Sequence, residues 1–205
     1  MLSTAKIAVL VSGGGTNLQA LLDAQSSGIL QHGKIELVVS NNLKAYALTR
    51  AKNAGVNAVV LSRADYPEQA QFEAQLQHEL QQSGIELIIL AGFMRILSAD
   101  FTTKWPRRII NVHPALIPAF CGQGFYGLKV HEAALAKGVK VTGATVHFVN
   151  EIPDGGEIIS QKAVRVLKHD TPETLQRRVM EQAEWKLLPH AAEMVSREIL
   201  KSRKD

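Results

Sequence analysis

Short runs of β-branched and aliphatic residues recur along the chain, each followed by a longer stretch in which apolar positions fall three and four residues apart. "KIAVLV" precedes "TNLQALLDAQ", "IELVVS" precedes "AYALTRAKNA", "NAVVL" precedes "EQAQFEAQLQHELQQ", and "ELIILA" closes the series. A short, unbroken apolar run marks a strand covered on both faces, whereas a 3.6-residue period marks an amphipathic helix. The alternation predicts βαβ units, and hence an α/β fold built on an open, mostly parallel, doubly wound sheet with helices on both sides.

Beyond residue 120 the pattern changes. "GLKVHEAALAKG" reads as a helix ended by Gly138. "VTGATVHFV" and "GEIISQKAVRV" read as two strands joined through "NEIPDGG", and residues 172–200 read as helical with Pro172 in the first turn. The sheet should therefore be mixed, with an antiparallel C-terminal hairpin and a C-terminal helix. In such sheets ligands bind beyond the carboxyl ends of the strands. No repeat, low-complexity tract or linker interrupts the chain, and its 205 residues fit a single domain over 1–205.

Apolar residues at 46% and charged residues at 20% are typical of a folded globular chain. The surplus of 23 − 19 = +4 basic residues favours small anions without calling for a polyanion. The one dense basic cluster, "SREILKSRKD", reads as the solvated end of a helix, so no nucleic-acid partner is expected. Runs such as "LIILAGFM" are too short to span a bilayer, and the start lacks the basic region and cleavage site of a signal peptide. With a single cysteine, Cys121, unable to form an internal disulfide, a cytoplasmic location is expected, without membrane association.

Three places hold candidate chemistry. In "VSGGGTN", between the first strand and the first helix, glycines and a helix start suit a phosphate, or equally a plain turn capped by Thr16. Leu18 stands where a dinucleotide fingerprint needs its third glycine, and the lysine of a nucleotide P-loop is absent, so a phosphate monoester fits better than NAD or ATP. In "IINVHPALIPAF" the question is why an apolar run ends on Asn111 and His113. Residues two apart on an extended segment point the same way, and Pro114 holds His113 extended. An amide that can bind an oxyanion then projects beside an imidazole that can move a proton, a pair suited to acyl transfer. Structural hydrogen bonding in the loop would use the same residues. Third, Asp154 in "NEIPDGGE" sits on a hairpin-turn signal, from which a carboxylate could approach His113, raise its pKa and orient it.

Other positions carry less. Cys121 reads as incidental rather than as a nucleophile, and no histidine pair has metal-ligand spacing, so no metal is expected. His131 reads as a surface or first-turn residue with a phosphate contact open to it. His147 reads as a core or sheet-face histidine.

With these places marked, the chain resembles the folate-dependent formyltransferases. "VLVSGGGTNLQALL", "LAGFMRILS", "INVHPALIPAF", "GATVHFV", "DGGEII" and "AEWKLLP" carry the resemblance nearly end to end, and the pairing of "AGFMRIL" with "NVHPALIP" is its most specific part. The resemblance implies a Rossmann-like formyltransferase fold in which a formyl group moves from N10 of 10-formyltetrahydrofolate to the amine of 5'-phosphoribosylglycinamide. It implies no tightly bound cofactor, the folate being a cosubstrate. Asn111, His113 and Asp154 match the catalytic trio: oxyanion donor, proton donor, and the carboxylate that keeps His113 charged. Gly15, Thr16 and Asn17 match the phosphate-binding turn, and Glu184 matches a substrate-contacting acid. Met94, Arg95, Ile96 and Leu97, with Asn111, match the folate-bordering residues. The phosphate side would occupy about 1–100 and the folate and catalytic side about 101–205.

Departures from the family pattern are Gln69 in place of an arginine that contacts folate, Trp185 after Glu184, and a longer loop over 118–129, to which no role is assigned. Relatives that formylate methionyl-tRNA or hydrolyse formyltetrahydrofolate carry a further domain, which this chain is expected to lack. The chain is expected to act on small molecules as a monomer or homodimer.

Overall fold

The structure, a computed structural model, describes residues 4–203. Met1–Ser3 and, in the basic tail, Lys204 and Asp205 lie outside the described residues. The apolar runs form strands β1 (Ala5–Val11), β2 (Gly33–Ser40), β3 (Asn57–Val60), β4 (Leu87–Leu90), β5 (Ile109–His113), β6 (Val141–Phe148) and β7 (Ile158–Arg165). They build one seven-stranded sheet in the order β3-β2-β1-β4-β5-β6-β7. The pairings among β1 to β5 are parallel, whereas β6 runs antiparallel to β5 and β7 antiparallel to β6. The expected doubly wound sheet with its C-terminal hairpin is thus the observed one.

The periodic stretches form helices α1 (Thr16–Ser26), α2 (Tyr46–Asn53), α3 (Gln69–Gln82), α5 (Leu128–Lys137), α6 (Pro172–Val179) and α7 (Trp185–Ser202). They cover both faces of the sheet and make two apolar cores. Along β1, Ile7, Val9 and Val11 point into the core beneath α1 and α7, while Ala8 and Leu10 point into the core with Phe72, Leu76 and Leu80 of α3. Because successive strand residues face opposite sides, a strand buried on both must be apolar throughout, which is why "KIAVLV" shows no alternation. Each fully buried Leu, Ile or Phe contributes about 1.5–3 kcal/mol from apolar burial.

Two features escape a reading based on periodicity. A four-residue helix, α4 (Ala99–Thr102), is held by Ser98, whose Oγ accepts from the Phe101 amide. It is too short to show a period. The helix expected over 172–200 is interrupted by a π-turn, Met180–Glu184, which separates α6 from α7. A π-turn inserts one residue into the helical register. Here Ala183 and Glu184 are both buried in it. At the front of α6, Thr171 and Thr174 cap each other reciprocally and Pro172 occupies the first turn as expected. Among the described residues, no helix is long and apolar enough to cross a membrane.

Candidate active site at the carboxyl ends of the strands

β1 lies between β2 and β4, so the chain winds to one side of β1 first and then returns on the other. Loops leaving the carboxyl ends of β1, β4 and β5 diverge there and open a crevice. A cleft of about 620 Å³ occupies it, lined among others by Asn17, Arg95, Asn111, His113, Asp154 and Glu184. Met94, Ile96 and Leu97 line it too, whereas Gly15 and Thr16 do not.

Asn111 and His113 lie on β5 and project together, as their spacing predicts. Asp154 reaches them from the turn before β7. Its Oδ2 is 3.4 Å from His113 Nδ1 and its Oδ1 is 3.5 Å from Asn111 Nδ2. Asp154 adopts the left-handed conformation, φ 55, and Gly156 lets the turn fold back tightly onto the end of β6. A Cβ on Gly156 would sit 1.7 Å from the Phe148 carbonyl oxygen. Burial works to raise the Asp154 carboxyl, but contact with His147, the Gly122 amide and the charge of His113 outweigh it, and its pKa falls below the ordinary value. For His113, burial is the strongest influence and lowers the imidazole, against the opposing pulls of Asp154 and the Phe120 carbonyl. Asp154 thus works against desolvation at a ring that is 4% exposed, and desolvation has the larger effect.

Two neighbours of the trio were not foreseen. β6 pairs with β5 so that His147 stands opposite Asn111. His147 is the buried sheet-face histidine expected, but its Nε2 lies 3.2 Å from Asn111 Nδ2 and 3.5 Å from Asp154 Oδ1, inside the constellation. The only signal for this would have been the register of two strands more than thirty residues apart in sequence, about which local pattern says nothing. The 118–129 loop also takes part: the Phe120 carbonyl lies 2.8 Å from His113 Nε2, and the Gly122 amide donates to Asp154 Oδ2 at 2.9 Å. Cys121, between them, has a thiol raised in pKa by burial and by Asp154, which disfavours the thiolate.

For His131 the first-turn reading holds and the surface one does not. It is not at the surface but fully buried in the first turn of α5, bordering the cleft, with its pKa lowered to about 4 by desolvation and then by His113. The face of α5 that carries Val130 and Ala134 packs inward and takes His131 with it.

In the glycine-rich loop, Asn42 Nδ2 donates to the Ser12 carbonyl at 3.1 Å, the Ala47 amide to Gly13 at 3.1 Å, and Arg50 Nε to Gly14 at 2.8 Å. A loop whose successive carbonyls are drawn to one side presents its amides to the other, the arrangement that binds anions. Gly15, with φ 71, is the N-cap of α1, and a Cβ there would lie 2.6 Å from Ala47 Cβ. The cap is thus Gly15 rather than Thr16, whose hydroxyl instead faces Met180 Sδ at 3.8 Å. Asn17 Nδ2 donates to Glu184 Oε2 at 2.7 Å. Burial pushes the Glu184 carboxyl up to about 7 against the effect of Asn17.

After β4, Met94 and Ile96 are exposed at the cleft and Leu97 is buried. Arg95 Nε donates to Gln69 Oε1 at 2.8 Å, and its guanidinium lies 4.1 Å from the Phe72 ring centre. Among the described residues no group of His, Cys, Asp or Glu is placed to hold a metal ion.

The chain is 38% identical over 201 residues to "Phosphoribosylglycinamide formyltransferase, chloroplastic" of Arabidopsis thaliana, covering 98% of this chain and 68% of that one. It is 44% identical to part of "Trifunctional purine biosynthetic protein adenosine-3" of Gallus gallus, covering 93% of this chain but only 18% of that protein's length. Among solved structures, glycinamide ribonucleotide transformylase 1 from Symbiobacterium toebii superposes with a TM-score of 0.88 at 43% identity, covering 95% of this chain and 89% of that one. The formyl transferase family profile matches residues 5–192, and with these relatives and this site the chain belongs to the formyl transferase family.

Proposed function

We propose that the chain transfers a formyl group from N10 of 10-formyltetrahydrofolate to the amine of 5'-phosphoribosylglycinamide, giving the N-formyl product and tetrahydrofolate. The observation that carries this reading is the meeting of Asn111, His113 and Asp154 in a cleft also lined by Met94–Leu97 and by Asn17 and Glu184. The acceptor amine attacks the formyl carbon, the Asn111 amide donates to the developing oxyanion, and the bond from carbon to N10 then breaks. His113 delivers a proton to N10 as it leaves, and the amine gives one up, so the transfer is neutral in protons. The donor is the imidazolium: desolvation makes it the stronger acid, while Asp154, pulling the other way, favours the charged form and lies close enough to orient it.

Gly15, Thr16 and Asn17 would receive the phosphate through backbone amides at the start of α1. Glu184 would accept from the glycinamide end of the substrate, while Met94, Arg95, Ile96 and Leu97 would border the pterin. The folate serves as a cosubstrate, and the reading needs no tightly held cofactor and no metal. It is a reaction of small molecules, without nucleic acid or membrane, in a cytoplasmic monomer or homodimer.

The test supplies 10-formyltetrahydrofolate with each of phosphoribosylglycinamide, methionyl-tRNA and water as acceptor, and follows loss of the formyl donor. Transfer to phosphoribosylglycinamide is expected. Activity on tRNA without activity on phosphoribosylglycinamide would overturn the reading.

A further inference from the structure

Glu73 of α3 is 8% exposed and lies outside the cleft lining, yet it takes three hydrogen bonds, two from Ser98 at the end of the segment that borders the cleft and one from Gln69 on its own helix. Its Oε1 accepts from the Ser98 amide at 2.7 Å and from Gln69 Nε2 at 2.6 Å, and its Oε2 accepts from Ser98 Oγ at 2.5 Å. Gln69 extends the contact: the same Nε2 donates to the Ile96 carbonyl at 3.0 Å, and its Oε1 accepts from Arg95 Nε. At the other end of the segment, the Met94 amide donates to Ser12 Oγ at 2.8 Å. Residues 92–97 belong to no helix or strand, so no ladder or helical bond fixes their backbone. Met94, Ile96 and Ser98 are instead tied at every second residue, and these ties leave the backbone of Arg95 and Leu97 uncommitted. A buried carboxylate is retained at such a place only if donors satisfy it, and here the donors come from the segment it restrains and from the residue that relays to it.

We infer that Glu73 and Gln69 are positioning residues for the folate side of the site: a carboxylate and an amide that hold Arg95–Ser98 in the one shape able to read the cosubstrate. This rests on the proposed reading that Met94–Leu97 border the pterin. Gln69 grips the loop, and through Arg95 it sets that guanidinium across the Phe72 ring.

The variants Gln69→Ala, Glu73→Ala, Glu73→Gln and the double alanine variant are compared by steady-state kinetics with each substrate varied. Gln69→Ala, a half-exposed side chain whose loss leaves the core intact, should raise the KM for 10-formyltetrahydrofolate by roughly 10-fold. The KM for phosphoribosylglycinamide should stay within about twofold, and kcat at saturating folate within about threefold. Glu73→Gln, whose oxygen still accepts from the Ser98 amide and Gln69 and whose Nε2 reverses the remaining bond by donating to Ser98 Oγ, should stay close to the unsubstituted protein. The two alanine changes should combine to much less than the product of their separate effects, because each breaks the same chain of bonds. Where Glu73→Ala does not fold, Gln69→Ala and Glu73→Gln decide the matter alone. A folded Gln69→Ala with unchanged folate KM, or one that raises both KM values alike, overturns the brace. A wild-type protein that binds tetrahydrofolate but transfers nothing overturns the reaction only, and the brace is then read from the tetrahydrofolate Kd of the same variants.

Discussion

His113 sits between opposing forces: desolvation disfavours its charged form, and a carboxylate 3.4 Å away favours it. That balance suits a group that must surrender a proton rather than store one. If His113 and Asn111 act as proposed, His113→Ala or Asn111→Ala lowers kcat by on the order of 10²-fold or more with modest loss of binding. Steady-state rates beside calorimetric affinities check this, and unchanged turnover in both variants would remove the mechanism. Glu184 gives a second residue-scale expectation. Its folded pKa of about 7 lies above the value of about 4.3 for a free glutamate. The favourable contribution of its protonated form is complete below about pH 4 and fades as pH climbs to about 7. Glu184→Gln keeps an acceptor for Asn17 without the titration. Its Tm should therefore gain on that of the unsubstituted protein between pH 4.5 and pH 7.5, approximate limits set by those two values. A Tm difference that does not vary with pH would contradict the assignment.

Elements carry the next level of constraint. The first βα turn works only because Gly15 can occupy φ 71 against Ala47 with no side chain between them. Gly15→Ala should displace α2 from the loop and raise the KM for the phosphorylated substrate by about 10-fold or more, with the folate KM changed far less. At the start of α6, Asp170 accepts both arms of Arg178, at 2.6 and 2.5 Å, and its pKa is driven down to about 2, first by that pairing. A depressed acid stabilises above its unfolded value and loses that contribution as pH falls through its folded one. Asp170→Asn should therefore lower the Tm by a few degrees at pH 7, and the deficit should close as pH drops from about 4 towards about 2. The π-turn that follows is the other constraint, since it delivers Glu184 inward to Asn17.

At the scale of the whole molecule, one sheet joins both cores and the cleft draws on the entire chain. Met94–Leu97 from the first hundred residues and Glu184 from the last helical stretch border the same space. α7 packs on α1 and against β1 and β2, so the last helix covers the first strands. Two tryptophans report on opposite faces: Trp105 packs in the α3 core, and Trp185 begins α7. If the chain is one cooperative unit, urea melts followed by Trp105 fluorescence in Trp185→Phe, and by Trp185 fluorescence in Trp105→Phe, should each match the variant's own circular-dichroism melt. Separate midpoints within a variant would show two units instead.

The apolar runs and their helical partners were legible because burial on two faces leaves a strand no polar position, a local rule that needs no partner. Asn111 and His113 were legible for the same kind of reason, since two residues on an extended segment share a side whatever surrounds them. His147, the buried His131, the Phe120 carbonyl and the pairing of Glu73 with Ser98 were not, because each depends on which strand lies beside which and how a distant loop closes. Local pattern along the chain sets the alternation of strands and helices and supplies the residues able to do chemistry. Tertiary structure alone decided which of them meet, what desolvation does to their protons and which side chains hold the cleft in shape, because burial and contact at long range are properties of the assembled sheet.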